Sequence, residues 1–336
     1  MKMALNFCTL FNSFYLSRGL AMYRSLEKTS DNFHLFIFAF DDNTYDILNK
    51  LNLKYATIIS LHEFEDEKLL AVKPGRTFAE YCWTCTSSTI MYVLEKHNVS
   101  SCTYVDADLF FYKNPQILLA EMGNNSVLIT EHRYPPKFNR SNSSGIYCVQ
   151  FITFVNDENG MAALRWWQNA CIEWCFDRYE DGKFGDQKYL DDWPTRFKGV
   201  HILKNLGGGL ASWNVEQYPF IERKGDDILF QDKISGENFQ AVFYHFHHVR
   251  FYKNDLVDLG WRHPTMPVVK NLYVPYIKFL RECEREAKAL EPLFDVPLKP
   301  FTLINTKGFK NKIKYLIKVV FRFNVFNIKD LMNKSH

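Results

Sequence analysis

Glycine and proline are scarce in this chain, 15 and 12 of 336 residues, which excludes the collagen-like and low-complexity classes built on them. Charge of one sign does not dominate: 41 lysines and arginines stand against 38 aspartates and glutamates, a net of +3, too mild to imply a nucleic-acid partner. Long hydrophobic runs are missing too. Residues 315–325 are interrupted by Lys318, Arg322 and Asn324 and fall short of the ~20 apolar residues that a membrane-crossing helix needs. The first twenty residues lack the charged-then-apolar layout of a secretory signal, so a cytoplasmic location is expected. In that compartment the eight cysteines, mostly set among apolar neighbours, are expected to be reduced. Cys82 and Cys85 have the spacing of half a zinc site, but no second pair completes it.

What the chain does have is aromatic bulk, 16% of all residues, enough for a large core and for stacking surfaces. Apolar segments at residues 5–10, 33–40, 56–61 and 101–105 read as strands, and the segments at 15–26, 45–51 and 77–96 read as helices. Such alternation predicts an α/β fold with a mostly parallel sheet, whose ligands bind at the carboxyl ends of its strands. Further strands are expected at 145–154, 200–203 and 241–247, with helices at 159–178 and 276–290. The charge is uneven: from Lys307 onward eight cationic residues face Asp330 alone, a local +7 that leaves −4 for the rest. A basic tail interleaved with apolar residues suits an anionic membrane surface, with the protein peripheral on its cytoplasmic face.

The sharpest chemical feature is Asp106-Ala107-Asp108, where the strand at 101–105 ends. Two carboxylates at i and i+2 concentrate negative charge there, and a divalent cation relieves it by taking hard oxygen ligands, with a diphosphate filling its remaining positions. Downstream, Tyr244-His245-Phe246-His247-His248 closes an apolar strand. Alternation puts His245 and His247 on one face, where one or both complete the metal shell or hydrogen-bond a phosphate. A third element is Asp186-Gln187, a carboxylate beside a carboxamide, suited to two sugar hydroxyls or to orienting a reacting hydroxyl. A helix N-cap is the plainer explanation of Asp186.

Together these residues resemble the GT-A fold glycosyltransferases, in particular the glycogenin-like and lipopolysaccharide-galactosyltransferase-like group and the bacterial nucleotide-diphospho-sugar transferases. The resemblance covers residues 6–261. It implies a Rossmann-like mixed, mostly parallel sheet flanked by helices, with a C-terminal helical extension. The implied layout is a transferase domain over 1–265, its nucleotide-binding half at 1–130 and its acceptor half at 131–265. A helical, proline-punctuated extension follows over 266–306, and a basic amphipathic tail over 307–336.

The same resemblance implies site roles. Asp106 and Asp108, with Ala107 between them, hold Mn²⁺ or Mg²⁺ against the donor diphosphate, and His245 is the third metal ligand. Position 248, glycine in the family's His-Phe-X-Gly element, is histidine here. The family's Lys-Pro-Trp is absent, which leaves Arg250 or Lys253 to neutralise the diphosphate. Thr9, Asn12, Tyr15 and Asp41 fall where such proteins hold uracil and ribose, Arg76 falls near the donor, and Asp186 and Gln187 are the catalytic candidates. The expected activity is metal-dependent transfer of a sugar from a nucleoside diphosphate, UDP foremost, with retention, onto a glycan or lipid-linked saccharide in cell-surface polysaccharide synthesis.

Two other readings compete. Asp106-Ala-Asp108 after an apolar strand also resembles the nucleophile and acid of haloacid-dehalogenase-type phosphatases. That reading conflicts with Leu109, where those enzymes carry Thr or Val, and with a Gly185-Asp186 that follows polar residues rather than a strand. An inactive sugar- or membrane-binding module on the same fold is the other.

Overall fold

The computed structural model describes residues 5–262, 264–294, 298, 300–301, 312–313 and 316–333. The strands in chain order are β1 Leu5–Phe11, β2 Phe33–Ala39, β3 Ala56–Ser60, β4 Ser101–Val105, β5 Leu109–Phe111, β6 Val127–Glu131, β7 Tyr147–Val155, β8 Val200–Ile202 and β9 Leu210–Ala211. They continue with β10 Phe220–Lys224, β11 Asp227–Gln231, β12 Asn238–Gln240, β13 Phe243–His245, β14 Arg250–Tyr252, β15 Leu256–Asp258 and β16 Val325–Asn327. The long helices are α1 Leu16–Thr29, α2 Asp42–Leu51, α3 Phe78–Lys96, α4 Glu158–Glu173 and α5 Val274–Leu290.

Seven strands form the central sheet in the order β3-β2-β1-β4-β7-β6-β8. Pairing is parallel except where β7 meets β4 and β6. This is the mixed, mostly parallel, helix-flanked sheet that the sequence leads one to expect. The near-continuous apolar runs of β1, β2 and β7 follow from burial on both faces, and the structure buries nearly all of their residues. One core cluster packs α1 and α5 against the sheet, and the other packs α3 and α4 against its opposite face.

Local signals set the helix starts. Asp41 caps α2 by accepting from Thr44 N at 2.7 Å, and Thr77 with Glu80 forms a capping box at the head of α3, each satisfying amides that a helix end leaves unpaired. Gly19 in α1 lies against Phe11, where an added Cβ would come within 2.3 Å of the ring, so a larger residue there would require the Phe11 ring to move.

The small sheets build the site. β13 pairs antiparallel with β5 and parallel with β9, so the residues after Asp108 run directly beside the histidine strand. A meander, β10-β11-β12, occupies polar residues that gave no alternation to read. A last sheet, β14-β15-β16, ties the C-terminal segment to the strand that follows the histidines. Within the tail, Lys318 is buried and ion-paired with Asp258, so this one of the tail's cations is withdrawn from any surface. Lys307, Lys310, Lys314 and Lys334 lie outside the described residues.

Candidate metal and donor site

The sheet delivers Asp106 and Asp108 at the carboxyl end of β4, the middle strand of the seven, parallel to β1 and antiparallel to β7. Antiparallel pairing sets His245 opposite Leu109, and Phe246 N donates to Asp108 O at 3.0 Å. His245 Nε2 thus lies 2.9 Å from Asp108 Oδ1 and 3.7 Å from Asp106 Oδ2. Asp108, His245 and His247 each offer a ligand atom, all within 4.8 Å of one another. The strand alternation inferred from the sequence holds, and it brings His247 into the cluster alongside His245.

Electrostatics separates the members. Burial pushes Asp106 up to about 6, against the pull of His245 and with the help of the Asp108 charge. Asp108 goes the other way: burial opposes its ionisation, but the charge and hydrogen bond of His245, then His247 and Arg18, hold it well below the usual carboxylate range. Burial would lower His245, yet the two aspartates raise it. Burial, with His248 and His245 beside it, drives His247 well below its ordinary value, so it stands neutral with a lone pair available.

Three residues that spacing did not reveal hold this cluster. Gln150, fully buried on β7, places Oε1 2.7 Å from His245 Nδ1. That nitrogen therefore donates and Nε2 faces the aspartates, which is the usual way an outer partner fixes a metal-binding histidine. Trp213 sets its ring edge-on to His245 at 5.1 Å and to His247 at 5.6 Å, and its indole N–H is anchored on His132 O. Arg18, buried in α1, donates to Val249 O at 2.7 Å and to Phe14 O at 3.1 Å and lies over the Tyr15 ring. It joins the first loop to the histidine loop.

His248, where the family resemblance calls for glycine, has φ 67°. The left-handed backbone that favours glycine is kept although the residue is not glycine.

The other expected residues divide. Tyr15, partly exposed, lies within the electrostatic reach of Asp108, Arg18, Arg250 and Asp106. Asn12 caps the short turn that carries Tyr15, accepting from Phe14 N. Thr9 is buried, its hydroxyl left without a hydrogen-bond partner, and Ala107 is buried between the two aspartates. Asp41 accepts from Ser13 N and Oγ and from Thr44 N; its carboxylate shapes the first loop. Arg76 is directed elsewhere: its guanidinium covers Phe176 at 3.8 Å and donates to Ile172 O at the end of α4.

Asp186 lies within the electrostatic reach of Asp106. It is buried, its carbonyl accepts from Trp167 Nε1 at 2.9 Å, and its carboxyl is pushed up to about 7, first by burial and then by the charge of Asp106. Gln187 donates to Ser144 O at 2.6 Å, fixing the turn rather than facing the aspartates with its amide nitrogen. A carboxyl whose folded pKa exceeds its unfolded value loses stability as pH rises from the unfolded value, ~3.9, to the folded one. The Asp186 contribution to the stability of metal-free protein is therefore expected to fall over this interval, and Asp186→Asn to be the more stable form at about pH 8, with the gap closing near about pH 4. Thermal unfolding in chelator at both pH values checks this. An equal gain at both would remove the buried charge as its cause.

No family model matches the chain. It is 30% identical over 295 residues to the uncharacterized protein YfnD of Bacillus subtilis strain 168, covering 86% of this chain and 93% of that one. To the uncharacterized protein YfnF of the same strain it is 30% identical over 277 residues, 80% and 89% of the two chains. Among solved structures, the galactosyltransferase LgtC in complex with donor and acceptor sugar analogues superposes with a TM-score of 0.49 at 12% identity, over 87% of this chain and 98% of that one.

Proposed function

The chain belongs to the family of the Bacillus subtilis proteins YfnD and YfnF, and from the site it carries we propose that it is a metal-dependent glycosyltransferase. Its donor is a nucleoside-diphosphate sugar, UDP foremost, and its acceptor a glycan or lipid-linked saccharide of a cell-surface polysaccharide. The observation that carries this reading is the convergence of Asp108, His245 and His247 within 4.8 Å beside Asp106, at the carboxyl end of a central parallel strand.

These residues fit a divalent cation. Two imidazoles with carboxylate oxygen suit Mn²⁺ better than Mg²⁺, which favours oxygen alone, and Gln150 already turns Nε2 of His245 toward the aspartates. When bound, the ion offsets charge developing on the departing diphosphate. Arg250, exposed beside the cluster, adds fixed positive charge on the same side. The exposed ring of Tyr15, held by Arg18, offers a stacking face for the base. Asp186, its carboxyl pushed up to about 7 by burial and the charge of Asp106, is suited to hydrogen-bond a sugar hydroxyl and titrates where it can exchange a proton near neutral pH. Retention, with the leaving phosphate taking the acceptor's proton, rests on the family resemblance.

Incubating the protein with Mn²⁺ and a panel of nucleotide sugars, and following nucleotide release and product anomer by NMR, tests the reading. The expected result is Mn²⁺-dependent release of one nucleotide with the donor's configuration kept. Release of phosphate from simple phosphate esters, with no nucleotide released from any sugar donor, would favour the phosphatase instead.

The tail extends the reading to a surface. Leu316, Val320 and Phe321 are 48%, 60% and 70% exposed, beside Arg322 and Lys312, an apolar and basic face suited to an anionic bilayer on the cytoplasmic side. Val320→Asp with Phe321→Asp is expected to abolish co-sedimentation with phosphatidylglycerol vesicles and to leave the thermal midpoint unchanged; full retention on the vesicles would refute the tail's role.

A further inference from the structure

Lys318 is 1% exposed, yet nothing in the transfer reaction described above uses it. Its Nζ donates to Asp258 Oδ1 and to Gly260 O, both at 2.5 Å, and lies 4.6 Å from the Trp261 ring centroid. Asn324 adds a second tie from the same segment: its Nδ2 donates to Gly260 O at 3.2 Å and also to Arg262 O. Its backbone oxygen accepts from Leu259 N. The turn they grip is tight. Asp258 Oδ1 accepts from Gly260 N at 2.8 Å, and Gly260 has φ 93°, where an added Cβ would sit 3.2 Å from the Cβ of His248.

This turn is the floor of the histidine loop. Asp258 faces Arg250 across the β14-β15 pair and Val325 across the β15-β16 pair. The contacts therefore run from Lys318 and Asn324, through Asp258 and Gly260, to His248 and Arg250. From there the chain leads directly to His247 and His245. A segment some seventy residues downstream in sequence thus closes the underside of the cluster.

We propose that the C-terminal segment, residues 316–333, is part of the construction of the metal site, with Lys318 as a positioning residue that holds the histidine loop through Asp258 and Gly260. The inference rests on the reading of His245 and His247 as cation ligands, and it places the tail in the site as well as at a surface. Outer partners of metal ligands typically carry 10- to 100-fold of the metal affinity.

The test uses the full chain as wild type, Lys318→Met, Lys318→Arg and Asn324→Gly. The last removes the side-chain ties at a position with φ 54°, where glycine fits without strain, so it serves if Lys318→Met fails to fold. Two readouts are taken: affinity for Mn²⁺ by electron paramagnetic resonance, and hydrogen exchange of the segment 245–252 by mass spectrometry. Lys318→Met is expected to weaken Mn²⁺ binding by up to about tenfold, the lower end of the range for groups bonded to a ligand directly, and to speed exchange in that segment, with Lys318→Arg restoring much of both and Asn324→Gly moving both less. Wild-type affinity together with unchanged exchange in Lys318→Met and Asn324→Gly would overturn the proposal. Exchange is read without metal, so the two claims fail separately. If wild type binds no Mn²⁺, the ligand assignment falls, while faster exchange in the variants would still establish the strap and unchanged exchange would refute it.

Discussion

Asp108→Ala is expected to reduce metal-supported sugar transfer at least about 10³-fold, roughly 4 kcal/mol of transition-state stabilisation. Asp108 is the hinge of the cluster: it lies 2.9 Å from His245 Nε2, it is held ionised by His245, His247 and Arg18, and its carbonyl is bonded by Phe246 N. The alanine variant keeps that backbone bond, so β5 and β13 should stay paired. It loses the oxygen ligand and leaves His245 facing Asp106 alone. Steady-state rates with saturating donor and Mn²⁺ provide the measurement. A drop confined to KM would mean that Asp108 only binds the donor, and a rate within tenfold of wild type would mean that it is no ligand.

The second large effect concerns the link between core and site. Trp167→Ala is expected to cost about 3–5 kcal/mol of stability, the range for removing a large buried aromatic. Trp167 is fully buried, stacks on Phe154 with ring centroids 6.0 Å apart, meets Trp193 edge-on at 5.7 Å, and donates its indole N–H to Asp186 O. Trp167→Phe separates packing from that hydrogen bond. It should fold with a smaller loss, yet lower transfer about tenfold, because displacing a positioned group by ~1 Å costs up to ~10² in rate. Chemical denaturation and kcat measured on the same two variants check both parts. A Trp167→Phe enzyme with unchanged kcat would show that the bond to Asp186 does not position it.

Much of this was legible from side-chain pattern. Strands buried on both faces read as unbroken apolar runs, so β1, β2, β4 and β7 stand close to where the sequence puts them, whereas the one helix cap weighed there, Asp186, makes no side-chain cap and the short helical turn starts after Gln187. Strand direction was not legible: the run 147–155 is apolar whichever way it lies, and only the sheet shows that β7 is reversed. The helix expected over 159–178 ends at Glu173, before an aromatic loop with Trp174 and Phe176 packed edge to face.

Asp106, Asp108 and the histidines were visible because chemistry-bearing residues were clustered in sequence. Gln150, Trp213 and Arg18 were not, since each acts across more than 30 residues on a partner that only folding brings near. Arg76 shows the converse. It resembled a donor-binding residue by position, but Phe176 and the carbonyls at the end of α4 are its neighbours. The basic tail read as a uniform surface element, whereas a single buried lysine with a buried carboxylate partner divides it into an anchored part and an exposed one.

The central claim, a metal-supported nucleoside-diphosphate site at Asp106 and Asp108, is tested most directly by thermal unfolding with UDP, GDP, CDP and ADP, each with and without Mn²⁺. The panel is run on wild type and on Asp106→Ala with Asp108→Ala. A ligand at about 100 times its dissociation constant stabilises the native state by about 2.7 kcal/mol, a readily measured shift in Tm. The account predicts stabilisation of wild type by one nucleotide, UDP foremost, only when Mn²⁺ is present, and no such shift in the double variant. Absence of a shift with every nucleotide, or an equal shift in the double variant, would contradict it.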